Sequence, residues 1–268
     1  MPETEKNYNV GESVLSIQAD LNGFAFCVFD DNGDCRVFKQ YTYTAVDYND
    51  LDKEVHKLFR QEALLQLPYK KCYCLFISNK STLIPSQLFD IQHLRTYLEF
   101  VTPLDELDEI HFRQLPVAEA VNVFAMPGPV AAIVHKYQPN SLFLHHSIPL
   151  IHLLHERQLQ DGCILHLSTD IASIALYAGG RFVLSNTFNI HTFADALYYL
   201  SYVIRQWHLS PESTPIFLSG KYTEADLVLF EKYYRKVSIL SSKSIAQLSG
   251  QTAGKDYHLL QLPSSVCE

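Results

Sequence analysis

No stretch of this chain approaches the roughly 18 consecutive apolar residues that a membrane-spanning helix needs, and its 268 residues contain no basic run of five or more. The formal net charge is −8, which argues against a broad nucleic-acid interface, because such an interface needs clustered Lys and Arg to displace counterions. The opening segment, Met1-Pro-Glu-Thr-Glu-Lys-Asn7, is polar and has no apolar signal core, so export is not expected. Gly-x-Ser-x-Gly elbows, Walker loops and His-Glu-x-x-His motifs are all missing, as are linkers rich in Pro, Gly or Ser, so the parts should pack closely. The six cysteines lack zinc-knuckle spacing. Cys72 and Cys74 stand one residue apart on one face of a strand. With Cys27, Cys35, Cys163 and the tail residue Cys267, they read as small buried hydrophobes in a reducing cytoplasm. Cys27 and Cys35 flank a hairpin and could come close, but pairing them is the less favoured reading.

What the chain does have is an internal repeat. Nearly half its residues are apolar, 47%, which places it among globular chains with a substantial core. Leu15-Ser-Ile-Gln-Ala-Asp20-Leu-Asn-Gly-Phe-Ala-Phe26 and Leu165-His-Leu-Ser-Thr-Asp170-Ile-Ala-Ser-Ile-Ala-Leu176 share one plan. Each is an apolar strand, an aspartate at a turn, and a second apolar strand, with Ala25 and Ala175 in step. Tight turns at Asp31–Gly33 and Gly179-Gly180 lead to third strands at 35–41 and 181–184. An amphipathic helix and a short strand follow in each copy, ending Ile77-Ser-Asn-Lys80 and Leu218-Ser-Gly-Lys221. A period this long argues for duplication of a whole domain rather than a solenoid.

The spacing predicts a helix over 49–66, with Leu51, Val55, Leu58, Phe59 and Leu65 on one stripe and Asn49 or Asp50 as cap. Thr192 with Asp195, and Thr223 with Asp226, read as capping signals for two further helices. Strands are expected at 215–218 and 237–240, and a last one at 257–262. A segment at about 82–160 has no counterpart in the second half. Helices are expected in it at 90–100, after Pro129 and at 149–159, with strands at 110–114, 120–125 and 141–144. The chain therefore divides into a first domain, 1–160, with an α/β insertion at about 82–148, and a second domain, 161–268.

Three antiparallel strands, a helix and a strand, repeated around an insertion, resemble the actin-like ATPase superfamily, a duplicated RNase H-like fold, and most closely its FtsA/PilM branch. Thr82-Leu-Ile-Pro-Ser-Gln-Leu-Phe-Asp90 and Val121-Asn-Val-Phe-Ala125 resemble, more narrowly, domain of unknown function 3822, a family typical of Bacteroidetes. The resemblance implies an α/β fold of two mixed-sheet domains, with ATP and Mg²⁺ as ligands of the cleft between them. In active members two Asp-x-Gly-Thr/Ser turns hold the phosphates and a Gly-Gly turn lies on the adenosine. Glycine suits such cradles because no Cβ blocks the backbone N–H groups.

Carried over by residue, the first turn, Asp20-Leu21-Asn22-Gly23, keeps the aspartate but has Asn22 in the glycine's place. The second keeps Asp170 and Ser173 but has Ala172 there, and the adenosine turn reads Ser219-Gly220-Lys221. Asp20 and Asp170 are the candidate Mg²⁺ ligands, carboxylates being the donors Mg²⁺ prefers; aspartate is equally favoured at turns because it bonds its own backbone. The departures imply a scaffold or binding module with protein partners, no confident catalytic residue and no firm cofactor. The alternative is an ATP/Mg²⁺-binding protein or slow ATPase. His135, His145, His146, His152 and His155 form a dense histidine region, with His152 and His155 on one helix face, a spacing that suits a surface role or metal binding. Tyr198, Tyr199, Tyr202, Tyr233 and Tyr234 read as core or, if exposed together, as a docking surface.

Overall fold

The computed structural model describes residues 9–45 and 47–261. The heptapeptide at the N-terminus, Leu262 and Cys267 lie outside the described residues. Apolar alternation makes the first block an antiparallel meander of β1 (Val14–Asp20), β2 (Gly23–Phe29) and β3 (Cys35–Thr42). Asp47 caps α1 (Tyr48–Gln61) by accepting from Asp50 N, ahead of the expected caps Asn49 and Asp50. The helix stops at Gln61, and Ala63–Gln66 forms a separate 3-10 turn. Leu51, Val55, Leu58 and Phe59 are buried as their spacing predicts. β4 (Lys71–Phe76) then runs parallel beside β1.

β5 (Ser81–Pro85), α2 (Leu94–Glu99), β6 (Asp108–Leu115) and β7 (Ala120–Pro127) form the insertion. Its three strands are antiparallel in the order β5-β7-β6, and Leu98 of α2 packs on Val121 and Val123. Next come α3 (Gly128–Tyr137), β8 (Ser141–His145) and α4 (Ser147–Glu156). β8 was expected inside the insertion, but it pairs in parallel with β4. It completes a five-stranded sheet in the order β3-β2-β1-β4-β8. Sequence pattern cannot reveal that partner, because parallel strands are joined by crossovers rather than hairpins.

The second half repeats this order. β9 (Gly162–Leu167), β10 (Ile171–Ala178), β11 (Arg181–Asn189), α5 (Phe193–Gln206), β12 (Ile216–Gly220), α6 (Glu224–Glu231) and β13 (Val237–Ile239) give a sheet ordered β11-β10-β9-β12-β13. Both capping boxes form as predicted, at Thr192/Asp195 and Thr223/Asp226. Leu197, Leu200 and Ile204 of α5 cover the outer face through Leu165, Ile174 and Leu218. α4 lies between the two sheets: Ile148, Ile151 and Leu154 share one core with Leu75 and Leu144 on one side and Ala175 and Tyr177 on the other.

No strand forms at 257–261. Instead α7 (Lys243–Ser249), α8 (Gln251–Asp256) and a 3-10 turn at His258–Gln261 carry the chain back to the first sheet. There Ile245, Tyr257 and Leu260 pack on Ala25, Cys27 and Phe29. Cys27 and Cys35 are joined beneath them as a disulfide, Cα atoms 6.1 Å apart, against the reduced state that composition favoured. Cys72, Cys74 and Cys163 are free and buried. Among the described residues no helix is long and apolar enough to cross a membrane.

Gly220 is fixed by geometry: its φ is +88°, and a Cβ there would stand 1.9 Å from Leu167 O. Gly179, at φ +60°, has open space around it. Gly220→Ala should therefore cost at least about 2 kcal/mol in urea unfolding or abolish folding, and Gly179→Ala about 1 kcal/mol. Equal losses in the two variants would contradict this account of Gly220.

Candidate functional site

The cleft between the halves opens where β1, β4, β9 and β12 end. Backbone register decides which residues face it. Ile77 N donates to Ala19 O (3.0 Å) and Lys221 N to Leu167 O (2.8 Å), so Ile77 and Lys221 are equivalent. Asp20 pairs with Gly23 around the turn Leu21-Asn22. In the second half Ser168 N donates to Ile171 O (2.9 Å) around Thr169-Asp170, and Leu167 pairs with Ala172. The structural counterpart of Asp20 is therefore Ser168, and that of Asp170 is Asn22. The two copies are offset by two residues from the alignment that matched their aspartates.

That offset relocates several candidates. Ala172 and Ser173 are buried in β10 and belong to no turn. Asn22 and Ala172 both have negative φ, so neither position demands a left-handed backbone. Gly23 sits against β3, where a Cβ would approach Tyr41 O at 3.0 Å. Ser219 is fully buried and hydrogen-bonded to His166 Nδ1 (2.9 Å), and Gly220 is held by its approach to Leu167. Lys221 Nζ donates to Thr169 Oγ1 (3.1 Å) beside the cleft.

Asp20 and Asp170 do line one cavity, of 190 Å³, together with Leu21, Tyr48, Ser78 and Asn189 among others. Ligand sites usually span about 300–1,000 Å³. Ser168 Oγ donates to Asp20 Oδ2 (3.2 Å) and Asn79 Nδ2 to Asn189 Oδ1 (3.0 Å), so side chains tie the cleft across its width. None of the lining residues is Lys or Arg. Asp20 Oδ1 also accepts from Asn22 N (2.7 Å). Burial raises the Asp20 carboxyl above its ordinary pKa, and Lys221, Asn22 N–H and Ser168 offset part of that rise. A larger hollow of 440 Å³ adjoins at Leu21 and Tyr48, rimmed by Asp47, Asp105 and Glu106. Beside it Lys80 bridges Asp105 and Asp108, 2.6 Å from each, and stands over the Tyr48 ring. Ser168, Tyr48 and Asn189 were not anticipated as cleft residues; Ser168 was detectable as the first of three turn-forming residues, Ser-Thr-Asp.

The histidines divide. His135 is exposed, and His155 Nδ1 bonds Tyr177 Oη at 2.6 Å. His145 and His146 are buried at the mouth of α4, their ring centroids 4.2 Å apart, and His166 joins them from β9. His146 Nε2 meets Ser173 Oγ (2.5 Å), while His145 bonds Ser147 Oγ (2.7 Å) and Ser78 O (2.9 Å). Among the described residues no group of three or more His, Cys, Asp or Glu is arranged to hold a metal ion.

Residues 3–237 match the model of the family described as Protein of unknown function (DUF3822). The chain belongs to that family. Its fold is that of the actin-like ATPases. A Bacteroides thetaiotaomicron protein with actin-like ATPase fold and unknown function is similar at 21% identity and TM-score 0.75, over 89% of this chain and 93% of that one. The PilM–PilN type IV pilus biogenesis complex has a similar chain at 13% identity and TM-score 0.61, over 97% and 100%. The ethanolamine utilization protein EutJ of Carboxydothermus hydrogenoformans is similar at 10% identity and TM-score 0.54, over 98% and 92%. Curated protein sequences include no match.

The buried groups set two pH dependences of opposite sign. Burial holds His145 and His111 down to about 4 and His146 well below its ordinary value. Between pH 6.5 and about 4 the unfolded chain therefore binds protons that the folded chain does not, and stability falls as pH falls. A fully buried imidazole of this kind costs about 3 kcal/mol at pH 4. Urea unfolding of His145→Gln at pH 7 and pH 4.5 should show a smaller loss than the parent; an equal loss would exclude His145 as a contributor. Asp20 acts the other way: its raised pKa makes the ionised form costly, so its penalty grows as pH rises through that pKa. Asp20→Asn keeps an acceptor for Asn22 N and a partner for Ser168, and should melt higher than the parent at pH 8 but not at pH 4. A lower melting temperature at pH 8 would mean that the Asp20 charge is needed.

Proposed function

We propose that this chain is a non-catalytic scaffold or binding module with protein partners, built on an actin-like fold whose cleft no longer takes a nucleotide. The single observation that carries the reading is the composition of the cleft. It is small, tied across by Ser168–Asp20 and Asn79–Asn189, and lined by two aspartates and by no Lys or Arg, Lys221 standing outside the lining on Thr169. A triphosphate would meet carboxylates here and none of the Cβ-free backbone that cradles phosphate elsewhere. Ala172 and Ser173, which the resemblance assigns to the second cradle, are strand residues behind the cleft wall. Ser168 stands where the second aspartate would be needed to match Asp20. The residues present therefore do not fit ATP with Mg²⁺. The competing reading has one observation in its favour, that Asp20 and Asp170 line the same cavity.

Thermal melting and calorimetry with ATP or ADP at millimolar concentration, with and without Mg²⁺, separate the two. A ligand at 100 times its dissociation constant stabilises by about 2.7 kcal/mol, so binding of that kind would be plain. The expected result is no shift and no heat. Micromolar binding abolished by Asp20→Ala would overturn the scaffold reading.

A further inference from the structure

The last helices of the chain cover a sheet face that they satisfy only in part. Val14, Ser16 and Gln18 of β1 stand opposite Phe29, Cys27 and Ala25 of β2, and residues directly opposite in an antiparallel pair share one face. Ile245, Ala253 and Tyr257 close that face, the Tyr257 ring lying 5.4 Å from that of Phe38 in β3. The cover is apolar where the face is partly polar. Ser16 and Gln18 are 1% and 6% exposed, and among the described residues neither Ser16 Oγ nor Gln18 Oε1 has a hydrogen-bond partner. A buried polar atom left unpaired carries its full desolvation cost, so this cover is not the best partner the face can have.

The cover is also built to move as one piece. α7 and α8 fold against each other: Ser242 N donates to Gly254 O (2.8 Å), and a Cβ at Gly254 would stand 2.6 Å from that of Ala246. Among the described residues, the backbone hydrogen bonds of 242–260 all close within that segment, and none joins it to a strand. Its ends are tied down, Leu240 and Leu259 both lying in the core of the first half. Between the two helices Gly250 has φ +90° and ψ 164° with open space around it, a backbone region that only glycine occupies without strain. The segment also lies beyond residue 237, where the match to the family ends.

We propose that α7 and α8 form a flap that lifts as a unit between Leu240 and Leu259, and that the face beneath it docks an amphipathic helical segment of a partner protein. The flap itself shows what the face accepts, aliphatic and aromatic side chains in the places of Ile245 and Tyr257. A competing segment gains over the flap by adding an amide or hydroxyl donor for Gln18 Oε1 and Ser16 Oγ. The docking step rests on the scaffold reading and gives it a surface; the lifting of the flap stands without it.

Cys27 lies under the flap with no exposed surface, and Cys163 lies with none in the core of the second half, so one chain carries both reporter and control. The full chain, kept reduced so that every cysteine is a thiol, is pulsed with an alkylating reagent in native buffer and each site is read by mass spectrometry. Cys27 should react at least about ten times faster than Cys163. Gly250→Ala should raise the Cys27 rate about tenfold further, the ratio that about 1.4 kcal/mol of strain gives, and leave Cys163 unchanged. A fluorescent peptide of residues 242–258 is the docking probe. A site open for part of the time binds in proportion to its open fraction, so the peptide should bind Gly250→Ala about ten times more tightly than the parent. The same peptide with serine in place of Ile245 and Tyr257 should bind neither. One rate for Cys27 and Cys163, or equal acceleration of both by Gly250→Ala, would rule out the flap. A peptide that binds neither protein, or both equally, would rule out the docking face. Micromolar ATP binding, which would sink the scaffold reading, leaves the alkylation rates as predicted.

Discussion

The parallel pairing of β1 with β4, and of β9 with β12, governs everything at the centre of the molecule. Each pairing ends in one backbone hydrogen bond, Ile77 N to Ala19 O and Lys221 N to Leu167 O, and the cleft begins where those ladders stop. The register places Asp20 and Ser168 at corresponding strand ends, close enough to hydrogen-bond. It also brings β12 so near β9 that only glycine can stand at 220. What the cleft offers a ligand is set by which residues fall at those four strand ends, and they are mostly apolar, amide or acidic.

The same register explains how far the sequence could be read. Capping boxes at Thr192 and Thr223, the stripe of α1 and the duplication itself are local or periodic signals, and the structure carries them as expected. Matching Asp20 with Asp170 was a slip of two residues. Side chains in a strand alternate with period two, so such a slip leaves every apolar residue on its own face and hydrophobic pattern cannot detect it. Only the hairpin turns, Leu21-Asn22 against Thr169-Asp170, reveal it. Sequence order places β8 in the insertion because its parallel partner is remote in sequence. α7 and α8 carry no clear periodic signal because each is short and Gly250 separates them. The repositioning of Ala172 and Ser173 follows from the slip and is the main change to the candidate site.

Between the sheets lies an apolar layer that becomes polar towards the cleft. Ile148, Ile151 and Leu154 of α4 fill it at one end. At the other end His145, His146 and His166 stand among Ser147, Ser173 and Ser219. Neutral imidazoles suit this place because each has one donor and one acceptor for hydroxyl partners, and charging them would require desolvating a cation. Serine at 173 and 219 is thereby accounted for by packing. These positions were read from the resemblance as phosphate or adenosine contacts, yet their hydroxyls are already engaged behind the cleft wall.

Charge is distributed as unevenly as apolar surface. Carboxylates collect where the first half meets the insertion, at Asp47, Asp105 and Glu106, and cations collect just after α6, at Lys232, Arg235 and Lys236. An anionic ligand entering at the cleft would approach through the acidic hollow that adjoins it at Leu21 and Tyr48, so long-range attraction favours cationic or neutral groups there. Lys80, held between Asp105 and Asp108 beside this hollow, offsets part of that field. The electrostatics of the approach and the dimensions of the cleft are independent properties, one set by surface loops and the other by strand register. The proposed protein-facing role rests on the second of these, the dimensions and lining of the cleft.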